Sequence, residues 1–335
     1  MPADGLTPRA AGGSARTYAA LRQLFACRFC PIRAFKRKNV AQRRVVETSG
    51  ARPYRSVLYI PASRERALEK ARALPADAII FDLEDAVPPE EKPRARDLLA
   101  RLLAEADYGA RARIVRVNGL GTAWVEGDLR AFAAHPGVDA VLVPKVNGPA
   151  DLDLVAAVVK APLWAMLETA KGCLNARAIA AHDRLEGMVM GTNDLVKELG
   201  ARFRNDRLPL MAGLGVCVLA ARAEGRVIVD GVFNAFRDAA GLRAECEQGR
   251  DMGFDGKTLI HPAQLAVANE VFAPSEEEVD LARRQIAAYA EARSRGEGVA
   301  VLDGKIVENL HVAAAAGLIG KAEAIAARSI AAAAV

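Results

Sequence analysis

The sequence predicts a (β/α)8 TIM barrel with a C-terminal helical extension. From residue 54 onward, short apolar runs alternate with longer segments whose apolar residues have helical spacing. Nearly continuous apolar runs are typical of parallel strands that helices cover on both faces. Eight such strand–helix units in about 210 residues favour a closed barrel over an open doubly wound sheet, and no GxGxxG motif follows the first strand.

The predicted strands lie between helical segments along the whole of this region. The strands are residues 56–60, 78–81, 114–117, 140–143, 163–167, 188–190, 227–229 and 258–260. The clearest helical segments between them are residues 64–74, 93–106, 149–159 and 238–252. We therefore expect three parts: a leader (1–52), the barrel (53–275) and a C-terminal helical extension or lid (276–335).

The basic character of the chain is confined to its first 52 residues. They carry eleven basic and two acidic side chains, a charge of +9, whereas the remainder carries 35 basic and 39 acidic side chains, a charge of −4. A slightly acidic body does not suit nucleic-acid binding, so we expect no nucleic-acid partner. The leader is predicted to be disordered and could be a transit peptide, surplus upstream sequence or a polyanion-binding arm. The expected location is the bacterial cytoplasm, or the mitochondrial matrix if the leader is a transit peptide.

The composition excludes several other classes of protein. With 52% hydrophobic residues the chain can bury a large core, which excludes global disorder. Five cysteines favour reduced thiols over a disulfide scaffold, and the lone CxxC pair of Cys27 and Cys30 has no partner ligands for zinc. No window of 18 apolar residues is free of charge, so we expect no membrane span.

Polar side chains follow the predicted strands at the points where they end. Since active sites of such barrels lie at the carboxyl ends of the strands, these side chains are the candidates for chemistry. In strand order they are Ser63 and Arg64, then Asp82, Glu84 and Asp85, then Arg116 and Asn118, Lys145, Glu168 and Thr169, Asn193 and Asp194, Asp230, and His261. The sequence therefore predicts an acidic cluster, several cations and one histidine on one rim.

Two carboxylates on neighbouring strands suggest a metal site. Glu168 and Asp194 end the fifth and sixth strands, and a pair of carboxylates with so few other ligands suits Mg²⁺, which keeps waters and uses substrate oxygens. The alternative is that Asp194 caps the helix that follows it. Zinc is not expected, because the four histidines are scattered along the chain.

Arg116 and the end of the first strand are candidates for anion binding. Arg116 alternates with apolar residues on a strand whose outer face is covered by helices, so we expect it to face the barrel interior and to need an anionic or carbonyl partner. The alternative partner is a salt bridge to Asp82, Glu84 or Asp85. Arg64, with Lys70 farther along the same helix, flanks a helix start that could bind an anion.

Several stretches, in order, resemble the citrate lyase β-subunit-like CoA-ester lyases, the group that includes malyl-CoA and citramalyl-CoA lyases. They are RSVLYIPAS (55–63), FDLEDAVPPEEK (81–92), VRVNG (115–119), LVPKV (142–146), LETAKG (167–172), GTNDL (191–195), FRDAAGL (236–242), GFDGKTLIHPAQ (253–264) and ANEVFAPS (268–275). They cover nearly all of residues 54–310, and as a set they are highly specific.

This resemblance implies roles for particular residues. It implies a barrel whose Mg²⁺ is held by Glu168 and Asp194, with Arg116 on the reacting carbonyl or carboxylate. Glu84 and Asp85 would orient Arg116 and water. The residues that would bind CoA or the substrate are Tyr59, Arg64, Lys70, Arg116, Asn193, Ile260 and His261.

The same resemblance implies a catalytic base near the C-terminus, delivered from a neighbouring subunit. The family often has Asp in a stretch like G-x-M-I-D-x-P, whereas this chain has Glu308 at that position and Leu310 in place of the proline. Glu308 is therefore the predicted base. A base delivered from another subunit implies a homo-oligomer, a trimer or a hexamer.

The main functional prediction is a Mg²⁺-dependent carbon–carbon lyase. It would cleave a short 3-hydroxyacyl-CoA, such as malyl-CoA or citramalyl-CoA, reversibly into an acyl-CoA and a 2-oxo acid. The alternatives are the β subunit of citrate lyase acting on a citryl thioester, or a malyl-CoA thioesterase, since hydrolysis needs the same pocket and water. A catalytically silent binding barrel is disfavoured, because Glu168, Asp194 and Arg116 are all present.

Overall fold

The computed structural model describes residues 52–333 as a closed barrel of eight parallel strands, which confirms the predicted fold class. The predictions for the leader, including its CxxC pair, fall on residues 1–51 and lie outside the described residues. Each strand pairs with the next, and β8 pairs with β1 to close the ring. The strands are β1 (Ser56–Pro61), β2 (Ala78–Asp82), β3 (Ala112–Arg116), β4 (Ala140–Val143), β5 (Leu163–Leu167), β6 (Leu185–Met190), β7 (Val227–Asp230) and β8 (Gly256–Leu259).

Helices connect the strands and form the outer layer of the barrel. They are α1 (Glu65–Ala71), α2 (Lys92–Glu105), α3 (Val125–Ala131), α4 (Pro149–Ala156), α5 (Ala170–Leu174), α6 (Ala176–Ala180), α7 (Thr192–Glu198), α8 (Met211–Ala223), α9 (Ala239–Met252) and α10 (Leu265–Val271). Because each helix returns the chain to the start of the next strand, all eight strands run the same way. Their carboxyl ends therefore share one rim, called the mouth below.

Alternate residues of the strands fill the inside of the barrel and the layer under the helices. Ile80, Ile114 and Leu142 lie in the inner cluster, whereas their strand neighbours Phe81 and Val115 pack in the outer one. Trp164 is fully buried in the inner cluster, against Tyr54 at 5.0 Å between ring centroids. The side chains pack the interior as a core, so chemistry is confined to the mouth.

Two of the described glycines are required by close approaches within the barrel. A Cβ on Gly187 would lie 2.5 Å from the Trp164 ring, and one on Gly256 would lie 1.8 Å from the Tyr54 carbonyl oxygen. Neither position can take a side chain without a shift of its neighbours. Gly256 also explains why β8 begins two residues before the predicted strand, since its lack of a side chain lets the strand approach β1.

The chain continues after the barrel into a helix, a hairpin and a long final helix. These are α11 (Glu276–Ser294), β9 (Ala300–Leu302), β10 (Lys305–Val307) and α12 (Asn309–Ala333). Near the end of α12, Arg328 Nη2 donates a hydrogen bond of 3.0 Å to the carbonyl oxygen of Asp77, just before β2 begins. This end of α12 thus lies at the amino-terminal end of the barrel, opposite the mouth. The role of the extension as a lid stays a prediction.

One helix in the described residues is long and apolar enough to span a membrane by length and composition alone. It is the Asn309–Arg328 part of α12, with a mean hydropathy of 1.3, and little of it is buried. A helix that packs against another protein surface has the same properties. This finding is weak evidence, and the absence of a membrane span stays a prediction.

Candidate active site

Arg116 lies in the mouth between the ends of β2 and β5, and it is almost fully buried. Its Nε and Nη2 donate to the two carboxylate oxygens of Asp82 at 2.7 and 2.5 Å. Its Nη1 lies 2.9 Å from Glu84 Oε2 and 3.2 Å from Asp85 Oδ2. All three salt-bridge partners considered from the sequence are thus present, with Asp82 as the bidentate one.

The loop after β2 is held in shape by its own residues and by Lys92. Asp82 accepts the backbone N–H groups of Glu84 and Ala86 at 2.8 and 3.1 Å. The buried Lys92 ammonium donates to the carbonyl oxygens of Leu83 and Glu84 at 2.8 and 2.7 Å. These contacts fix the Glu84 backbone, so its carboxylate is directed towards Arg116. Burial is the main cause that raises the pKa of Glu84.

Lys145 joins three carboxylates at the centre of the mouth. Its ammonium nitrogen lies 2.6 Å from Glu84 Oε1, 3.4 Å from Asp194 Oδ2 and 3.9 Å from Glu168 Oε1. Its backbone N–H also donates to Glu168 Oε1 at 2.7 Å. Lys145 therefore contacts Glu168 through its main-chain N–H, and it lies within 4 Å of Glu84, Asp194 and Glu168 through its ammonium group.

Glu168 is fixed in place by its neighbours on two loops. Glu168 is almost fully buried. A Cβ on Gly191 would lie 2.3 Å from the Cβ of Glu168, so the loop after β6 passes directly over the glutamate. The next residue, Thr169, accepts the Gly172 N–H at 2.9 Å and so caps α5. Its hydroxyl also donates to Asn147 Oδ1 at 2.8 Å, which ties the loops after β4 and β5 together.

Asp194 does not act as a helix cap. It is the third residue of α7, makes no capping hydrogen bond and is partly exposed. Within residues 52–333 the Lys145 ammonium is its one charged partner closer than 4 Å. The capping alternative considered from the sequence thus has no support, and the Asp194 carboxylate is available to a ligand.

The mouth fits a hard divalent cation. Carboxylate oxygens are the ligands that Mg²⁺ prefers, and the Lys145 ammonium among them demonstrates that this cluster accommodates positive charge. Within residues 52–333 no three acidic, histidine or cysteine side chains are arranged to enclose a metal on their own. A Mg²⁺ ion held by Glu168 and Asp194 would therefore complete its octahedron with water or substrate oxygens.

Magnesium binding is expected to weaken as the pH falls below about 7, with release of a proton. Burial raises the pKa of Glu168 to about 7, and the nearby Lys145 opposes only part of this shift. Since the metal needs the ionised carboxylate, protons compete with it below that pKa and cease to compete above it. Calorimetry in two buffers of different ionisation enthalpy should find close to one proton released at about pH 6 and almost none at about pH 8.5. Equal affinities at both pH values would contradict this assignment of Glu168.

The residues that the resemblance assigned to CoA and substrate do not all lie together. The Tyr59 ring is part of the inner cluster, with its centroid 5.1 Å from Arg116 Cζ. Arg64 precedes α1 at the mouth and is exposed, whereas Lys70 lies about 9 Å farther along the helix axis, away from the mouth.

The neighbouring end of β8 supplies an exposed apolar surface at the mouth. His261 is exposed, and its ring stacks on Phe236 with centroids 4.7 Å apart. Ile260 and Phe236 are also more than one-third exposed, which is unusual for such large apolar side chains. Asn193 exchanges two side-chain hydrogen bonds with Asn234, at 3.2 and 2.8 Å.

Glu308 does not join the mouth within one chain. It is exposed and directly precedes α12, and its backbone N–H donates to His311 Nδ1 at 3.0 Å. Among the described residues no hydrogen bond or ion pair connects its carboxylate to the barrel. Its role as a base stays a prediction that depends on a second subunit.

Lys145 and Lys92 are the site residues to which the sequence assigned no role. Both belong to stretches that carried the resemblance, LVPKV and FDLEDAVPPEEK. Lys145 was recognisable as a cation at a strand end. Lys92 gave no such signal, because it follows a loop and reaches back over eight residues to bind main-chain oxygens.

A barrel whose mouth gathers acidic residues, an arginine and a lysine around one point defines an enzyme that handles anionic substrates with a divalent cation. Within that class, the chain belongs to the HpcH/HpaI aldolase/citrate lyase family, whose model matches residues 55–262. The family resemblance seen in the sequence is thereby confirmed.

Three relatives place the chain more closely. It is 68% identical over 278 residues to a (3S)-malyl-CoA thioesterase of Cereibacter sphaeroides (strain KD131), covering 83% of this chain and 97% of the relative. It is 34% identical to an L-malyl-CoA/beta-methylmalyl-CoA lyase of the same species (strain ATCC 17029), with coverage of 83% and 97%. The solved structure of CitE from Mycobacterium tuberculosis with magnesium, acetoacetate and coenzyme A is 33% identical, with a TM-score of 0.68, and covers 83% of this chain and all of that one.

These comparisons correct the main functional prediction. A carbon–carbon lyase was expected, but the relatives at 66–68% identity are thioesterases, whereas the lyase is only half as similar. The lyase prediction is therefore wrong, and the thioesterase alternative is favoured. The physical reason for the error is that the predicted site residues are compatible with either reaction, so their presence does not distinguish hydrolysis from carbon–carbon cleavage. The prediction of Mg²⁺ agrees with the magnesium in the CitE structure.

Proposed function

We propose that this protein is a magnesium-dependent thioesterase that hydrolyses (3S)-malyl-CoA to malate and CoA. The observation that carries the proposal is the 68% identity to a (3S)-malyl-CoA thioesterase over 97% of that relative's length. In the reaction the C–S bond breaks, the oxygen of water forms the new C–O bond, and a proton of that water goes to the CoA sulfur.

Glu168 and Asp194 would hold the Mg²⁺ ion at the mouth. A Mg²⁺ ion bound there would act as a Lewis acid that polarises an oxygen of the malyl group. The two side chains follow the adjacent strands β5 and β6, and the Lys145 ammonium lies within 4 Å of both. Glu84, 2.6 Å from the same Lys145 ammonium, adds negative charge beside them.

Arg116 would stabilise negative charge that develops on the thioester oxygen. Asp82 holds two of its nitrogens, so the guanidinium is oriented before the substrate arrives. The remaining Nη1 faces Glu84, Asp85 and the Met166 sulfur at 3.7 Å. A donor fixed in a buried site stabilises a developing oxyanion more than one that must first reorganise.

Two hydroxyl groups at the end of β1 are available to the substrate. Tyr59 Oη and Ser63 Oγ are buried and have no hydrogen-bond partner within the described part of the chain. Burial is the main cause that raises the pKa of Tyr59, so it stays a neutral hydrogen-bond donor. A buried hydroxyl group without a hydrogen-bond partner destabilises the folded protein unless water or a ligand pairs with it. We assign them to the malyl-thioester end of the substrate.

The CoA moiety of the bound substrate would extend out of the mouth over the ends of β1 and β8. There the exposed Arg64 would bind the phosphates of CoA, and the exposed Ile260 and Phe236 would provide an apolar surface for the rest of the CoA moiety.

The base for the attacking water is either Asp85, which is largely exposed and 3.2 Å from Arg116, or Glu308 from another subunit. The second choice requires a homotrimer or homohexamer in which α12 packs against a neighbouring copy.

The test is to identify the products formed from (3S)-malyl-CoA with Mg²⁺. We expect free CoA and malate in equal amounts, and no reaction in EDTA. The full chain is incubated with substrate, thiol release is followed with a thiol reagent, and the acids are separated by mass. Acetyl-CoA and glyoxylate as the main products would overturn the proposal, as would release of CoA that is indifferent to Mg²⁺.

A further inference from the structure

Lys145 has a strained backbone conformation at the centre of the site. Its φ is +53°, in the left-handed region that residues with a side chain rarely adopt, at a cost of about 1–2 kcal/mol. Among the described residues other than glycine, only Arg207 and Asp303 share this sign of φ. Strain of this kind persists where the surrounding structure determines it, and it clusters at functional sites.

The left-handed conformation of Lys145 accompanies contacts of its main chain and its side chain with different carboxylates. It directs the Lys145 N–H at Glu168 Oε1, 2.7 Å away, while the side chain turns back over the mouth to Glu84 at 2.6 Å. The ammonium then lies between Glu84 and the two predicted metal ligands, Glu168 and Asp194. Its side chain is 43% exposed, so it can move out into solvent without unpacking the core.

We propose that Lys145 is a tethered counter-ion that competes with Mg²⁺ for the carboxylates of the mouth, and so sets the affinity of the site for the metal. When no metal is bound, the ammonium offsets part of the negative charge of Glu84, Glu168 and Asp194. It must move away from Asp194 and Glu168 before a divalent ion can take both carboxylates. The proposal rests on the magnesium site and not on the hydrolysis of malyl-CoA.

The physical argument is one of competing cations. A protein whose binding-competent state is only partly populated binds its ligand more weakly by that fraction. If the ammonium occupies the carboxylates most of the time, its removal raises the apparent metal affinity by the inverse of the fraction that is open. Without the ammonium the carboxylates also repel one another, so the protein should lose stability until the metal is added.

The decisive variant is Lys145→Met, compared with Lys171→Met. Methionine keeps much of the length of lysine and removes its charge. Lys171 follows Glu168 by three residues and is exposed, and its side chain makes no hydrogen bond or ion pair within residues 52–333. Its replacement removes the same charge close to the mouth, but no contact with the carboxylates, so it measures the long-range effect of charge alone.

We expect calorimetry to find Mg²⁺ bound at least about tenfold more tightly by Lys145→Met than by the wild type, and less than about threefold more tightly by Lys171→Met. In EDTA, Lys145→Met should have a lower unfolding midpoint than the wild type and a larger gain on addition of Mg²⁺. Lys145→Arg, which keeps the charge, should stay within about threefold of the wild type.

Three outcomes would overturn the proposal. An unchanged or weaker Mg²⁺ affinity in Lys145→Met would mean that the ammonium positions the carboxylates instead of competing for them. Equal gains in Lys145→Met and Lys171→Met would mean that only long-range charge matters. If neither variant nor the wild type binds Mg²⁺, the metal site itself is wrong, and that result is separate from any failure of thioester hydrolysis.

Discussion

Replacing Glu168 by glutamine is expected to lower magnesium-dependent hydrolysis by about a thousandfold or more. Glutamine has the same shape and can still accept the Lys145 N–H through its amide oxygen, so the loops after β4 and β5 should keep their places. What is lost is the negative charge that would bind Mg²⁺. Calorimetry should find little Mg²⁺ binding, and the rate of CoA release should no longer depend on the Mg²⁺ concentration.

The same variant should be more stable than the wild type in EDTA at neutral pH. Burial raises the pKa of Glu168 from 4.5 to about 7 in the folded protein, so the folded state holds this proton more tightly than the unfolded state does. The resulting stability is fully present below about pH 4.5 and is lost as the pH rises through 7, at most by about 3 kcal/mol. Glutamine carries no such proton, so the difference between the two proteins should grow over that range. Denaturant unfolding at several pH values measures it, and a constant difference would contradict the burial of an ionisable Glu168.

The barrel and its mouth could be predicted from sequence because local patterns determine them. Continuous apolar strands between helices are typical of a parallel sheet. The carboxyl ends of parallel strands lie on one rim, whatever the exact bounds of each strand. This placed Arg116, Glu168 and Asp194 together although 78 residues separate the first from the last. The salt-bridge alternative for Arg116 was also visible, because Asp82, Glu84 and Asp85 follow the neighbouring strand.

Other features could not be predicted, because tertiary contacts determine them. The left-handed backbone of Lys145 and the direction of its side chain depend on Glu84 and Glu168, which follow two other strands, β2 and β5. The position of α12 involves contacts that are distant in the sequence, such as the hydrogen bond between Arg328 and Asp77, which spans 251 residues. The choice between hydrolysis and carbon–carbon cleavage depends on whether water attacks the thioester carbon or a base removes the proton of the hydroxyl group. The residues of the mouth are compatible with either reaction.

Replacing Arg116 by methionine is expected to destabilise the protein by about 3–5 kcal/mol and to abolish hydrolysis. The change leaves the buried Asp82 without its bidentate partner, and an uncompensated buried carboxylate costs far more than an exposed one. Arg113→Met is the matched control on the same strand. Its ion pair with Asp139 is partly exposed, so its loss should cost about 1 kcal/mol or less. Denaturant unfolding in EDTA measures both costs.

The double variant Asp82→Asn/Arg116→Met separates the structural role of Arg116 from its role in the reaction. Asparagine removes the charge that Arg116 neutralises, and its one amide oxygen can still accept one of the two N–H groups, of Glu84 or Ala86, that Asp82 accepts. More than half of the lost stability should therefore return, since breaking one half of a buried ion pair is worse than removing both halves. Hydrolysis should not return, because the fixed positive charge that would stabilise the developing oxyanion is still missing. A double variant that recovers activity together with stability would make Arg116 a structural residue, and the developing charge would have to be stabilised by another group of the mouth.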